Sequence, residues 1–201
     1  HITQFTKRLV ESTRALVTGD PMKPSTDVGP VIDDEARDKI LHFINKAKEE
    51  GCTLALGADA FLIPDDSPVI PKNLVPPHIF TGVTEQHSIA TDEIFGPVLA
   101  VMHANDYDEA LRIANSTAYK LTGGVFSRMP SNLERARREF RVGNLYLNRT
   151  ITGALVARQP FGGFGMSGIG SKAGGPDYLM QFVEPRAVAE NTMRRGFAPE
   201  L

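Results

Sequence analysis

The sequence predicts an α/β fold, and three observations carry that reading. Between residues 98 and 148, apolar runs of strand length alternate with helical segments in the order strand, helix, strand, helix, strand. Both helices open on capping-box chemistry, Asp106-Tyr107-Asp108-Glu109 and Ser131-Asn132-Leu133-Glu134. Strands joined through helices pair in parallel by right-handed crossovers, so a parallel βαβ core is expected.

Phe5, Leu9, Ser12 and Leu16 recur at helical spacing, so 3–17 reads as an amphipathic helix, stopped by Gly19-Asp20-Pro21. Residues 33–50 read as a second helix, with Ala36, Ile40, Phe43, Ile44 and Ala47 inward and Gly51 as terminator. A short strand follows at 53–56. Residues 57–78 contain five prolines and are expected to make a surface excursion, a hairpin ending in Ile79-Phe80-Thr81. The regular part then runs as strand 98–103, helix 106–115, strand 123–127, helix 131–141 and strand 143–148. Residues 149–176 are glycine-rich and irregular, and 179–189 read as a terminal strand interrupted by Pro185. Proline there suits a sheet edge or a crossing between two surfaces. There is no internal repeat and no low-complexity tract.

Composition narrows the function classes. Hydrophobic residues at 41% and charged residues at 23% suit an ordinary globular chain, and a net charge of -2 leaves no basic stripe for nucleic acid. The basic run 135–141 alternates with Glu139 and apolar residues and follows Glu134, as a solvated helix face does. A single cysteine, Cys52, permits no internal disulfide and suits a reducing compartment. No apolar run reaches membrane-spanning length. The opening His1-Ile2-Thr3-Gln4 is already helical in pattern and reads as a cut inside a longer protein.

Several motifs are set aside on physical grounds. Gly163-Phe164-Gly165-Met166-Ser167-Gly168 fits G-x-G-x-x-G, but a dinucleotide fingerprint needs a strand before it and a helix after it. Here Gln159-Pro160 precedes, and Gly170, Gly174, Gly175 and Pro176 follow. Cys52 follows a helix-terminating glycine, with no neighbouring histidine to activate it. The five histidines show no ligand spacing, so no metal site is expected, and no G-x-S-x-G elbow supports serine chemistry.

Two segments stand out. In Thr91-Asp92-Glu93-Ile94-Phe95-Gly96-Pro97-Val98, a carboxylate, an aromatic ring and a Gly-Pro turn precede a strand. A carboxylate accepts two ribose hydroxyls, and a phenyl ring walls a flat heterocycle. In Ile151-Thr152-Gly153-Ala154-Leu155, small residues expose backbone N–H groups that can form an anion-binding nest. Taken alone, an acidic loop before a strand and a tight turn between strands are the favoured explanations of these segments.

The order and spacing of several motifs resemble the aldehyde dehydrogenase superfamily over essentially the whole chain. The matching segments are Gly29-Pro30-Val31-Ile32, Glu93-Ile94-Phe95-Gly96-Pro97-Val98, and Pro160-Phe161-Gly162-Gly163 with Met166-Ser167-Gly168. Ile151-Thr152-Gly153-Ala154-Leu155-Val156 and Gly174-Gly175-Pro176-Asp177-Tyr178-Leu179 resemble its 1-pyrroline-5-carboxylate dehydrogenase branch, also found fused in proline-utilisation enzymes. The resemblance implies an NAD-dependent oxidation of L-glutamate γ-semialdehyde to L-glutamate in proline catabolism. Glu93 would hold the nicotinamide ribose and Phe95 would pack near the nicotinamide. Gly153 and Ala154 would offer N–H groups to the substrate α-carboxylate, and Phe161 would line the aldehyde tunnel.

In this family a cysteine thiolate attacks the aldehyde and a glutamate base assists hydrolysis of the thioester. Cys52 does not match the nucleophile's position, so that cysteine, the base and the dinucleotide-binding domain are expected upstream of His1. The resemblance further implies a partial catalytic domain at 1–178 and a C-terminal oligomerisation strand and tail at 179–201. Implied with these are a homo-oligomer joined through that strand and a cytoplasmic location, or the mitochondrial matrix in a eukaryote. The competing readings are a non-catalytic assembly module of the same ancestry and a dehydrogenase for another aldehyde.

Overall fold

A computed structural model describes residues 2–61 and 72–191. The chain divides into two compact units, one of residues 1–118 and 125–141, the other of 119–124 and 142–201.

The first unit opens with helix α1 (Ile2–Arg14) and helix α2 (Asp34–Glu49). Asp33 caps α2, its carboxylate accepting from the Ala36 N–H at 2.8 Å. Strands β1 (Thr53–Leu56), β2 (His78–Val83) and β3 (Val98–Met102) form one sheet in that order. β1 and β2 are antiparallel, while β2 and β3 are parallel, with His78 opposite Val98 and Phe80 opposite Ala100. The period of two along β2 sends neighbouring side chains to opposite faces. Phe80 packs with Ile40, Ile44 and Ala47 of α2, and Ile79 packs with Leu56, Phe61 and α1 residues Leu9 and Val10.

Helix α3 (Ser88–Thr91) lies on the β2–β3 connection. Helices α4 (Tyr107–Ser116) and α5 (Pro130–Glu139) complete the unit. The Tyr107 hydroxyl donates to the Asn132 carbonyl at 2.6 Å. Arg135, Arg137 and Arg138 pair with Asp108, Glu139 and Glu134, so the basic run is the solvated helix face expected.

In the second unit β4 (Tyr119–Lys120) pairs antiparallel with β7 (Phe164–Gly165), and β5 (Thr122–Val125) pairs with β6 (Asn144–Leu147). The rest of its described residues are loop, apart from a 3-10 turn at Tyr178–Phe182.

The α/β class holds, with differences in detail. β2 and β3 pair in parallel, and β5 and β6, which flank α5 in sequence, share a sheet, but β3 lies in a different sheet from them. The half-buried stripe of α1 is Thr6, Leu9, Val10 and Thr13, while Phe5, Ser12 and Leu16 are exposed. Asp106 caps α4 through the Glu109 N–H, but the Glu109 carboxylate accepts from Asn105 rather than closing the box on Asp106. At α5 the expected box does not form: Pro130 takes the first helical position and Met129 the cap, because a missing N–H is harmless at that position.

The expected surface excursion is partly interior. Residues 62–71 lie outside the described residues, but Asn73 and 75–78 are buried, and Asn73 exchanges hydrogen bonds with Val31. The expected terminal strand at 179–189 begins as the 3-10 turn and continues without a ladder among the described residues. A strand needs a partner's N–H and C=O groups, and no edge among the described residues supplies them there. No helix among the described residues is long and apolar enough to cross a membrane.

Candidate functional site

The two segments singled out by sequence lie in different units and are held by different forces. The 92–97 segment is clamped by α2. At one end, Glu50 caps α3, its Oε2 accepting from both the N–H and the hydroxyl of Ser88 at 3.0 Å. At the other end Ile94 is buried, and Gly96 lies so close to Ile40 that a Cβ there would sit 2.4 Å from Ile40 Cδ1. The Pro97 carbonyl accepts from the His78 N–H at 2.8 Å.

Between these anchors Phe95 takes a φ of 59° with its ring 84% exposed, and Glu93 is exposed beside it. A left-handed backbone costs a non-glycine residue about 1–2 kcal/mol, and an exposed ring recovers little of that by burial. Strain of this kind persists where surrounding structure over-determines it, and it concentrates at ligand sites. An exposed carboxylate and an exposed aromatic face on a clamped loop fit a ribose and a planar heterocycle.

The 149–161 segment is held by polar contacts. Residues 149–158 are exposed, and Gly153 has a φ of 100°. Tyr146 on β6 is buried, and its hydroxyl donates to the Gly153 carbonyl at 3.2 Å. Arg149 stacks over the Tyr146 ring at 5.3 Å and donates from Nη2 to the Thr152 carbonyl at 3.2 Å. Gln159, with its amide turned to satisfy both ends, donates to the Gly153 carbonyl at 3.1 Å and accepts from Arg149 Nη1 at 2.7 Å. Neither the Gly153 nor the Ala154 N–H donates to another described residue.

Phe161 is half-buried and bridged to Ala173 by two backbone hydrogen bonds of 3.0 and 2.8 Å. Asn144 ties this stretch to β6, donating to the Pro160 carbonyl at 2.9 Å and accepting from the Gly162 N–H at 3.1 Å. Thus Glu93 and Phe95 share one loop of the first unit, and Gly153, Ala154 and Phe161 share one loop system of the second.

Sequence reasoning passed over Glu50, Asn144, Tyr146, Arg149 and Gln159. A signal existed for two of them: Asn144 and Tyr146 are polar residues at alternate positions of an otherwise apolar strand, so both turn to one face.

The remaining motifs behave as loop and core. Gly163–Gly168 contains only β7, and no helix follows it before the 3-10 turn. Cys52 is buried against α2, and burial, with Glu50 adding to it, pushes its thiol pKa up. A raised pKa removes thiolate, the reactive form.

The sequence pattern described as the aldehyde dehydrogenase family matches residues 1–188, and the chain belongs to that family. Among its relatives, 1-pyrroline-5-carboxylate dehydrogenase from Geobacillus sp. (strain WCH70) is 50% identical over 187 residues, covering 93% of this chain and 35% of the relative. The chain thus spans about a third of the length of the curated relatives it matches. The structure of proline utilization A from Bdellovibrio bacteriovorus superimposes with a TM-score of 0.85 at 50% identity, covering 100% of this chain and 20% of that one. The 1-pyrroline-5-carboxylate dehydrogenase from Thermus with bound NAD gives 0.81 at 46% identity, covering 92% of this chain and 34% of that one.

Proposed function

We propose that this chain belongs to an enzyme that oxidises L-glutamate γ-semialdehyde, formed from 1-pyrroline-5-carboxylate, to L-glutamate with NAD, in proline catabolism. The observation that carries this reading is the exposed 152–154 turn, whose Gly153 and Ala154 N–H groups donate to no described residue. Hydrogen bonds to a charged group contribute about 1.5–3 kcal/mol each. Two such donors separate an aldehyde bearing an α-carboxylate from a plain aliphatic one.

The residues divide the work by chemistry. Gly153 and Ala154 donate to the substrate carboxylate, and Phe161 lines the path of its carbon chain. Glu93 accepts the ribose hydroxyls of NAD, and Phe95 offers a ring face to its nicotinamide. The chemistry that NAD supplies when bound is acceptance of a hydride from the substrate. Cys52 is buried and its thiol pKa is raised, so the proposal places the attacking thiolate and the glutamate base outside these 201 residues.

In the same reading, 1–178 is part of the catalytic domain and 179–201 is an assembly strand and tail of a cytoplasmic homo-oligomer. The exposed Leu179, Met180, Phe182, Val183 and Val188 support the assembly role, since an apolar row on an unpaired segment is suited to another subunit's sheet edge.

The test is NADH formation by the full-length protein with glutamate semialdehyde and with propanal. A strong preference for the semialdehyde is expected, and none from the 201-residue chain alone. Equal use of the two aldehydes, or turnover by the isolated chain, would overturn the reading. Removal of residues 180–201 should lower the mass seen by light scattering; an unchanged mass would remove the assembly role.

A further inference from the structure

Resting on the function proposed above, we propose that Tyr146, Gln159 and Arg149 are positioning residues that set substrate specificity by aiming the N–H groups of Gly153 and Ala154. In a trans peptide the C=O and the following N–H are coplanar and point in opposite directions, and there is no cis bond among the described residues. Fixing a carbonyl therefore fixes the N–H of the next residue on the far side.

Both relevant carbonyls are fixed. The Thr152 carbonyl accepts from Arg149 Nη2 at 3.2 Å, which directs the Gly153 N–H away from Arg149. The Gly153 carbonyl accepts from the Tyr146 hydroxyl at 3.2 Å and from the Gln159 amide at 3.1 Å, which directs the Ala154 N–H away from β6. Arg149 and Gln159 are joined to each other at 2.7 Å, and Arg149 rests on the Tyr146 ring. The three side chains thus form one brace on two successive peptide units.

Tyr146 sits on a strand and is only 6% exposed, so the brace is grounded in the packed part of its unit rather than in the loop. Gly153 completes the arrangement, because its φ of 100° lies where side chains are strained, and a Cβ there would meet Arg149 Nη2 at 3.4 Å. The brace residues do not touch the substrate carboxylate in this scheme. They act through the backbone by removing alternative orientations of the turn before the anion arrives, which is preorganisation.

Preorganisation makes a distinctive demand on kinetics. Losing one brace contact should raise the KM for glutamate semialdehyde about 3- to 10-fold, the range of one net hydrogen bond. The KM for propanal and the affinity for NAD should stay within about twofold, since neither uses the anion nest. A purely structural role would move all three together.

The experiment uses the full-length protein with Tyr146→Phe, Gln159→Leu and the double variant. Tyr146→Phe keeps the buried ring and removes only the hydroxyl; Gln159→Leu changes a residue at the loop surface and guards against misfolding of the first variant. The readouts are the ratio of kcat/KM for semialdehyde to that for propanal, and the inhibition constant of glutarate, a dicarboxylate without the aldehyde. The expected result is a ratio that falls in each single variant and further in the double, with weaker glutarate inhibition. A wild-type-like ratio in all three variants, or parallel losses for both aldehydes, would overturn the inference. A wild-type protein showing no preference for the semialdehyde would instead overturn the function on which it rests.

Discussion

The 92–97 loop and the 149–161 loop hold their exposed groups, the ones proposed above to meet ligands, by different means. The first is gripped by apolar packing: Ile94 is buried, and Gly96 lies against Ile40, a residue with no exposed surface. The second has Ile151 against Gly124 and the buried Tyr146 ring, but its 152–154 turn is held by hydrogen bonds to two carbonyls. Packing resists changes in volume, and hydrogen bonding resists changes in dipole direction. The difference teaches that stability should be sensitive in the first region and specificity in the second.

The largest effect should come from Ile40→Ala, which hollows the core beneath the first loop and should cost about 2–5 kcal/mol. Chemical denaturation measures it; a loss below 1 kcal/mol would show that the grip on Gly96 is loose. Gly96→Ala should cost about 1–3 kcal/mol by overpacking. Combined with Ile40→Val, which removes the nearest methyl, the loss should be smaller than the sum of the two single losses. Strict additivity would mean that the close approach of Gly96 to Ile40 is not what the alanine disturbs.

Acid should loosen the packed loop before the polar one. Burial holds His78 below its ordinary pKa of 6.5, against a smaller opposite push from the Pro76 carbonyl. The unfolded chain therefore binds a proton at a higher pH than the folded one. This contribution to stability is complete above the unfolded value and is lost as pH falls through the folded value. His78 also donates its N–H to Pro97, so hydrogen exchange near 92–97 should rise first on acidification. His78→Gln should flatten the dependence, and an unchanged slope would assign the effect to other groups.

The smallest effect should come from Phe95→Gly. The ring is exposed and the backbone is left-handed, so relief of strain roughly offsets the added freedom of glycine, for a change of about 0–1 kcal/mol towards greater stability. The same change should weaken NAD binding by the full-length protein, read by titration. A clear loss of stability would show that the ring is packed after all.

The fold class was legible because periodicity and capping residues are local. α2 and β1 appear where the sequence puts them, since each has a strong pattern with a glycine between. The inward face of α1 was read only in part: Leu9 packs on the core as its spacing implied, but Val10 joins it while Phe5 and Leu16 are exposed. Tertiary contact decides such a face, and periodicity alone leaves it free to rotate. The buried stretch 75–78 was hidden by its prolines, which signal turns although they pack well once their lost N–H needs no partner. The residues proposed to meet ligands were named from motif resemblance. Their supports, Glu50 and Tyr146 among them, were not, because a support is defined by its distance to a backbone atom in another segment.

Cys52 closes the account in a different capacity. As the sole thiol of this chain, buried and with its pKa raised, it is protected from alkylating reagents while α2 and β2 stay closed over it. Its labelling rate therefore reports how often that core opens. Alkylation of the full-length protein, followed by mass measurement of the peptide bearing residue 52, would turn a chemically silent side chain into a clock for local opening beneath the 92–97 loop.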